Sequence, residues 1–108
     1  MIVGIPREIM PGEARVAATP ETVEKMVAMG LKVLFEKGAG EGAYYHDPQY
    51  VEAGAEIIDD CEKLFEQADI ILKVKEPLFN EEKNKHEVEM MHKGQYLITF
   101  IHPAAPVN

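Results

Sequence analysis

The sequence has little cysteine and no long apolar run. Cys61 is the single cysteine among the 108 residues, which excludes an internal disulfide and favours a reducing compartment. No apolar run approaches the roughly 18 residues that span a bilayer, and the N-terminus has no signal-peptide pattern. We therefore expect a cytoplasmic protein.

Positive charge is scarce as well. Eleven Lys and Arg residues against nineteen Asp and Glu give a net charge of −8 at pH 7. Binding to nucleic acid or to an anionic membrane needs clustered Lys and Arg, so the balance argues against both partners. A chain of this length buries roughly 65% of its unfolded surface, which is enough for one core. We therefore expect one domain over residues 1–108.

Short β-rich apolar runs alternate with helix signals. Five strands are predicted, over Ile2–Ile5, Lys32–Phe35, Glu56–Ile58, Asp69–Val74 and Tyr96–Ile101. The rhythm predicts an α/β fold with three layers and a mainly parallel five-stranded sheet, Rossmann-like or flavodoxin-like. The last run has the continuous hydrophobicity of a strand buried on both faces, yet no helix signal follows it. We expect a fold truncated after the fifth strand, with either self-association through the uncovered sheet face or exposed apolar area there.

Capping residues predict four helices between these strands. They are a helix that follows Thr19, one from Asp47 to Gly54, one over Cys61–Gln67 capped by Asp59, and one from the cap Asn80 to Gly94.

Candidate site residues follow the strands, because open α/β sheets bind ligands beyond the carboxyl ends of their strands. The loop 6–18 is longer than the usual strand-to-helix connection and carries Arg15. Lys73 and Lys75 follow the fourth strand, and His102 follows the fifth. Convergence of a guanidinium, an amine and an imidazole at one edge would suit acid–base chemistry on a small carboxylate. The alternatives are surface ion pairs, solvated lysines and a structural histidine.

Two other patterns argue against further sites. Residues 38–43 match the Gly-x-Gly-x-x-Ala dinucleotide pattern, but no helix begins within them. We interpret them as a glycine turn that lets the backbone pass close to a neighbouring loop. His46, His86 and His92 lack the spacing of metal ligands, so no metal site is expected.

Several blocks of the chain resemble one known family. The blocks are Ile2–Glu8, Glu13–Pro20, Glu36–Gly42, Ala53–Ala55 and Leu72–Pro77. In order and over essentially the whole chain, they resemble the N-terminal domain shared by alanine dehydrogenase and the alpha subunit of proton-translocating nicotinamide nucleotide transhydrogenase.

The resemblance implies a function for three residues. Arg15 and Lys75 would bind the substrate, a small amino acid or 2-oxo acid, and His102 would be the catalytic acid–base. The implied reaction converts L-alanine, NAD⁺ and water to pyruvate, ammonia and NADH. NAD or NADP would be bound mainly by a dinucleotide-binding domain absent from this chain, so the chain alone would be inactive. A homo-oligomer is also expected.

Two alternatives stay open. In the first alternative, the chain is the N-terminal domain of a transhydrogenase alpha subunit. The stretch Ala17–Pro20 favours this alternative, whereas His102 favours amino-acid chemistry. The third possibility is a stand-alone, non-catalytic module that binds a carboxylate through Arg15 and Lys75.

Overall fold

The computed structural model describes residues 1–75, 77–81 and 83–99. A sheet of five strands forms its centre. The strands of this sheet are β1 (Ile2–Ile5), β2 (Lys32–Glu36), β3 (Glu56–Ile58), β4 (Ile70–Lys73) and β7 (Tyr96–Thr99), and a separate two-stranded ladder pairs β5 (Phe79–Asn80) with β6 (Lys85–His86). The helices are α1 (Pro20–Ala28), α2 (Asp47–Glu52), α3 (Cys61–Gln67) and α4 (Glu87–Met90). The predicted α/β fold is confirmed.

The order of the five-stranded sheet is β3-β2-β1-β4-β7, and every neighbouring pair is parallel. The chain runs outward from β1 to β3 and then returns to place β4 on the other side of β1. Strand order therefore reverses between β1 and β4, and such a switch point leaves a crevice beyond the carboxyl ends of the two strands. The loop 6–18 and the segment after Lys73 both begin at this crevice.

Helices cover both faces of the sheet, as the three-layer prediction requires. Along β2, Val33 and Phe35 belong to the core under α1 and α2, whereas Leu34 belongs to the core under α3 and α4. This alternation is the period of a strand buried on both sides. On the second face, a Cβ on Gly4 would come within 2.8 Å of both Ala68 and Leu64, so glycine is what lets α3 approach β1.

Helix ends follow the capping signals with one correction. Thr19 caps α1, accepting a hydrogen bond from the N–H of Thr22 at 3.2 Å. The cap of α3 is Asp60 and not the predicted Asp59, because the Asp60 carboxylate accepts from the N–H of Glu62 at 3.0 Å.

The predicted helix from Asn80 to Gly94 is wrong. Asn80 accepts a hydrogen bond from the N–H of Lys83, as an N-cap would, but Asn84 then adopts a left-handed φ of 54°. The chain turns back and pairs β6 with β5, and of the segment's described residues, 80–81 and 83–94, four become helical, those of α4. The segment has few apolar residues to bury, so a long helix here would gain little from packing.

The edge strand β7 carries exposed apolar side chains. Leu97 and Ile98 remain 37% and 46% exposed, as the prediction of uncovered apolar surface at this end of the sheet requires, so the continuous hydrophobicity of the strand does not reflect burial on both faces of its described residues. Phe100 and Ile101 of the predicted strand lie outside the described residues. Within the described ranges, none of the helices combines the length and hydropathy that crossing a bilayer demands.

Candidate functional site

The long loop 6–18 is anchored at several points. The N–H of Arg7 donates to Oε1 of Glu36 at 2.8 Å, near the loop's beginning. At its end the buried hydroxyl of Tyr50 donates to the carbonyl of Ala18 at 2.7 Å. Tyr50 is itself stacked on Phe35, with ring centroids 3.7 Å apart. The sheet therefore fixes both ends of the loop that carries Arg15.

The glycine turn supports the middle of the same loop. A Cβ on Gly42 would lie 2.9 Å from the carbonyl oxygen of Ala14 and 3.0 Å from its Cα. Only a residue without a side chain allows this approach, which bears out the close passage expected from the sequence.

This turn does not fit a dinucleotide. The N–H of Gly38 already donates to Oδ1 of Asp47 at 2.9 Å, and residues 41–43 form a three-residue 3₁₀ turn without a long helix behind it. A pyrophosphate site needs free N–H groups at a helix N-terminus. Within the described residues, no group of three His, Cys, Asp or Glu side chains is placed to hold a metal ion either.

A buried ionic cluster occupies the crevice between β1 and β4. The ammonium of Lys73 lies 3.1 Å from Oε1 of Glu8 and 3.3 Å from Oε1 of Glu87, and the Lys73 side chain has no exposed surface. We call Glu8, Lys73 and Glu87 the buried triad. Glu8 also accepts the backbone N–H groups of Val74 at 2.8 Å and Lys75 at 3.2 Å.

The third member of the triad extends this cluster to the segment after β4. Oε1 of Glu87 accepts the N–H of Leu78 at 2.8 Å, and the N–H of Glu87 donates to the carbonyl of Leu78 at 2.7 Å. Burial raises the pKa of the Glu87 carboxyl, and the charge of Lys73 opposes that shift. Lys73 compensates two buried carboxylates, which explains why a charged side chain is tolerated there.

A second ionic contact lies within the loop 6–18, beside the glycine turn that follows β2. Arg15 grips Glu13 in two-point fashion, through Nε to Oε2 at 2.9 Å and Nη2 to Oε1 at 3.0 Å. We call Glu13 and Arg15 the rim pair. The Arg15 side chain remains 57% exposed. Hydrogen bonds from Arg15, with a smaller contribution from the charge of Lys75, lower the pKa of Glu13 to about 2.

Arg15 is in direct contact with Glu13, whereas the charge of Lys75 makes only the smallest contribution to the lowered pKa of that carboxyl. Arg15 lines a cavity of about 240 Å³ together with Glu8, Glu13 and the glycine turn. Lys75 is tied to Glu8 through its backbone N–H, and its side chain has no ion-pair partner among the described residues. His102, the predicted acid–base, lies outside the described residues.

Sequence reasoning missed the different situations of Lys73 and Lys75. Alternation alone put both lysines on one face, but β4 ends at Lys73, and Lys73 is committed to the buried triad. Glu87 gave no signal, because it stood within a predicted solvated helix. The thiol of Cys61 is also unlike a reactive cysteine, since burial raises its pKa to about 11.

The Arg15 guanidinium keeps hydrogen-bonding capacity for a small anionic ligand. Its Nε and Nη2 are held by Glu13, and the N–H groups of Nη1 are left over from that pairing. A cavity of this size lies below the range of about 300–1,000 Å³ that is typical for drug-sized ligands. The fold defines a doubly wound α/β domain, in which an exposed arginine lines a small cavity beside the first strand.

Comparison with known proteins identifies the family. The family model described as the alanine dehydrogenase/PNT N-terminal domain matches residues 4–108. An alanine dehydrogenase from Methanococcus maripaludis is 47% identical over 104 residues, 96% of this chain, and an NAD(P) transhydrogenase subunit alpha from Cereibacter sphaeroides is 41% identical over 104 residues. The chain belongs to the alanine dehydrogenase/PNT N-terminal domain family.

Solved structures agree with this assignment. An L-alanine dehydrogenase structure superimposes with a TM-score of 0.78 at 33% identity, covering 97% of this chain and 27% of that one. The chain spans about a quarter of the length of the alanine dehydrogenase from Methanococcus maripaludis and 19% of the transhydrogenase subunit.

Proposed function

We propose that this chain is the substrate-binding N-terminal domain of an alanine-dehydrogenase-like oxidoreductase. The full-length protein would convert L-alanine, NAD⁺ and water to pyruvate, ammonia and NADH. The observation that carries the proposal is the half-exposed guanidinium of Arg15, which lines a small cavity together with Glu8, Glu13 and the glycine turn. The similarity to alanine dehydrogenases over almost the whole chain supports the same reading.

Each proposed site residue has a separate task. Arg15 holds the substrate carboxylate through the guanidinium edge that Glu13 does not use. Lys75 polarises the neighbouring oxygen or nitrogen as a point charge. His102 exchanges a proton with that atom, a role that suits an imidazole near neutral pH.

The remaining components of the reaction would lie outside this chain. NAD, or NADP, accepts the hydride and would be bound by a separate dinucleotide-binding domain, because the glycine turn here does not fit a pyrophosphate. We place the enzyme in the cytoplasm, with Cys61 as a free thiol, and expect a homo-oligomer. The 108 residues alone would be inactive.

Kinetics of the full-length protein test the proposal. With L-alanine and NAD⁺ as substrates, Arg15→Lys and Lys75→Met are each expected to raise KM for alanine by about 10- to 100-fold, because each removes a charge-assisted contact. His102→Ala is expected to lower kcat by about 10²- to 10⁴-fold. Lys25→Met is the matched control, because Lys25 is an exposed lysine of α1 far from the crevice in sequence.

These variants separate the roles from one another. Unchanged KM in both Arg15→Lys and Lys75→Met would contradict the substrate site. Unchanged turnover in His102→Ala would remove the acid–base role and leave the binding site intact.

The similarity to a transhydrogenase alpha subunit supports a second candidate function. In that case the domain supports hydride transfer between nucleotides and binds no small substrate. Absence of alanine oxidation, together with hydride transfer between NADH and an NADP analogue once a partner subunit is added, would favour this candidate.

A binding experiment on the 108-residue chain tests the third possibility, the non-catalytic module. Pyruvate is titrated into the isotope-labelled chain while its NMR spectrum is followed. Shifts confined to residues around Arg15 and Lys75, in a full-length protein without oxidoreductase activity, would favour the module over the enzyme.

A further inference from the structure

The carboxylate of Glu8 is unusual in its position and in its number of partners. Glu8 belongs to the loop after β1, yet its carboxylate accepts hydrogen bonds from groups at the end of β4. The donors are the ammonium of Lys73 and the N–H groups of Val74 and Lys75. The side chain is 2% exposed. One buried carboxylate thus joins the two strands on either side of the switch point.

Glu8 accepts backbone hydrogen bonds just beyond the point where the pairing of β1 with β4 ends. The parallel pairing of β1 with β4 reaches only Gly4 opposite Ile71. Beyond that point the N–H groups of Val74 and Lys75 need other acceptors, since buried donors without partners are costly. The two oxygens of Glu8 supply them, which fixes the backbone from which the Lys75 side chain starts.

The same carboxylate distinguishes the two lysines. Lys73 is buried, with its ammonium shared between Glu8 and Glu87, so it is not accessible to a substrate. Lys75 shares only its backbone N–H with Glu8, and its ammonium has no ion-pair partner in the described part of the chain. Glu8 therefore pairs with the buried ammonium of Lys73 and fixes the backbone position from which the Lys75 side chain extends.

We propose that Glu8 is a positioning residue for the substrate site, acting through Lys75. The inference rests on the proposed function, because it takes Lys75 as the amine that meets the substrate. Glu8 lines the cavity beside Arg15, but both of its carboxylate oxygens already accept hydrogen bonds from Lys73, Val74 and Lys75, so its role is to position Lys75. It orders the Lys75 backbone before a small 2-oxo acid binds. Binding then carries a smaller conformational entropy cost, because the segment that bears the ammonium is already fixed.

A double-mutant cycle tests whether Glu8 acts through Lys75. The Kd of pyruvate is measured by calorimetry on the NADH-loaded full-length protein, its Glu8→Gln and Lys75→Met variants, and the double variant. Glu8→Gln is expected to weaken pyruvate binding by about tenfold, the scale of one hydrogen bond to a charged group. In the Lys75→Met background the same change should have less than a twofold effect.

Two further variants separate positioning from general damage. Glu87→Gln disturbs the buried triad without touching the backbone of Lys75, and is expected to leave the Kd of pyruvate within twofold of the parent. Glu8→Asp keeps a negative charge near Lys73 but shortens the reach to the Val74 and Lys75 N–H groups, so it is expected to weaken binding as Glu8→Gln does. Thermal unfolding verifies that each variant is folded.

The outcomes distinguish this inference from the proposed function. Unchanged pyruvate binding in Lys75→Met would contradict the proposed function itself. Weaker binding in Lys75→Met but not in Glu8→Gln would overturn only the role of Glu8. Equal effects of Glu8→Gln in both backgrounds, an effect of Glu87→Gln as large as that of Glu8→Gln, or the failure of both Glu8 variants to fold would make Glu8 a structural residue and overturn the inference as well.

Discussion

The loop 6–18 supplies Glu8 to the buried triad and both residues of the rim pair, but the two clusters differ in their exposure to solvent. In the triad, Lys73 is fully buried and both carboxylates lie almost entirely inside the protein. In the rim pair, Arg15 is more than half exposed, so water and solutes reach its guanidinium. Charges that cannot exchange partners serve as a scaffold, whereas charges open to solvent are able to accept a ligand. The loop 6–18 contributes to one cluster of each kind.

The largest expected effect on the free energy of unfolding follows from removing the ammonium of Lys73, the cation of the buried triad. Lys73→Met leaves Glu8 and Glu87 as buried carboxylates without their shared cation. We expect a loss of about 3–5 kcal/mol in the free energy of unfolding, measured by urea denaturation at pH 7. The exposed Lys25→Met should change the same quantity by less than about 0.5 kcal/mol. A loss in Lys73→Met no larger than in this control would mean that the triad is not a scaffold.

A smaller, pH-dependent effect is expected at Glu87. Burial raises its pKa in the folded protein, so the native state binds more protons than the unfolded state between the unfolded pKa, about 4.3, and the raised value. The wild-type free energy of unfolding therefore falls, from this group, as pH rises through that window.

Glu87→Gln removes this contribution. The stability of the variant relative to the wild type should rise with pH through this window. Urea denaturation at a series of pH values from 4 upward measures it. A relative stability that declines with increasing pH would show that Glu87 is stabilised as the anion.

The smallest effect is expected at the rim. The pKa of Glu13 is lowered to about 2 by Arg15, so the rim pair stabilises the fold above the unfolded pKa and loses this contribution as pH falls towards 2. Glu13→Gln should cost about 1 kcal/mol or less at pH 7, because solvent screens Arg15. The difference between variant and wild type should shrink between pH 5 and pH 3. A difference independent of pH would assign the effect to packing and not to the ion pair.

The strands of the sheet and the cap of α1 were predictable because their signals are local. Each predicted strand overlaps an observed one, and Thr19 caps α1 through a hydrogen bond to a residue three positions away. The segment that follows Asn80 was not predictable in this way. Its outcome depended on a left-handed Asn84 and on the burial of Glu87 against Lys73, a contact that only the assembled sheet creates.

The candidate site was predictable in part for the same reason. The length of the loop and the lysines after β4 pointed to the crevice, since strand ends are local features. The separate roles of Lys73 and Lys75 were not visible, because they depend on where β4 ends and on a carboxylate 65 positions from Lys73. The alternation of polar residues gives no information on such a partner.

The most direct test of the account is a crystal structure of the full-length protein with pyruvate bound. We expect the carboxylate of pyruvate at about 3 Å from the Arg15 guanidinium and its carbonyl oxygen at a similar distance from Nζ of Lys75. We also expect Lys73 to remain paired with Glu8 and Glu87. Pyruvate bound away from the crevice between β1 and β4, or held by Lys73 in place of Lys75, would contradict it.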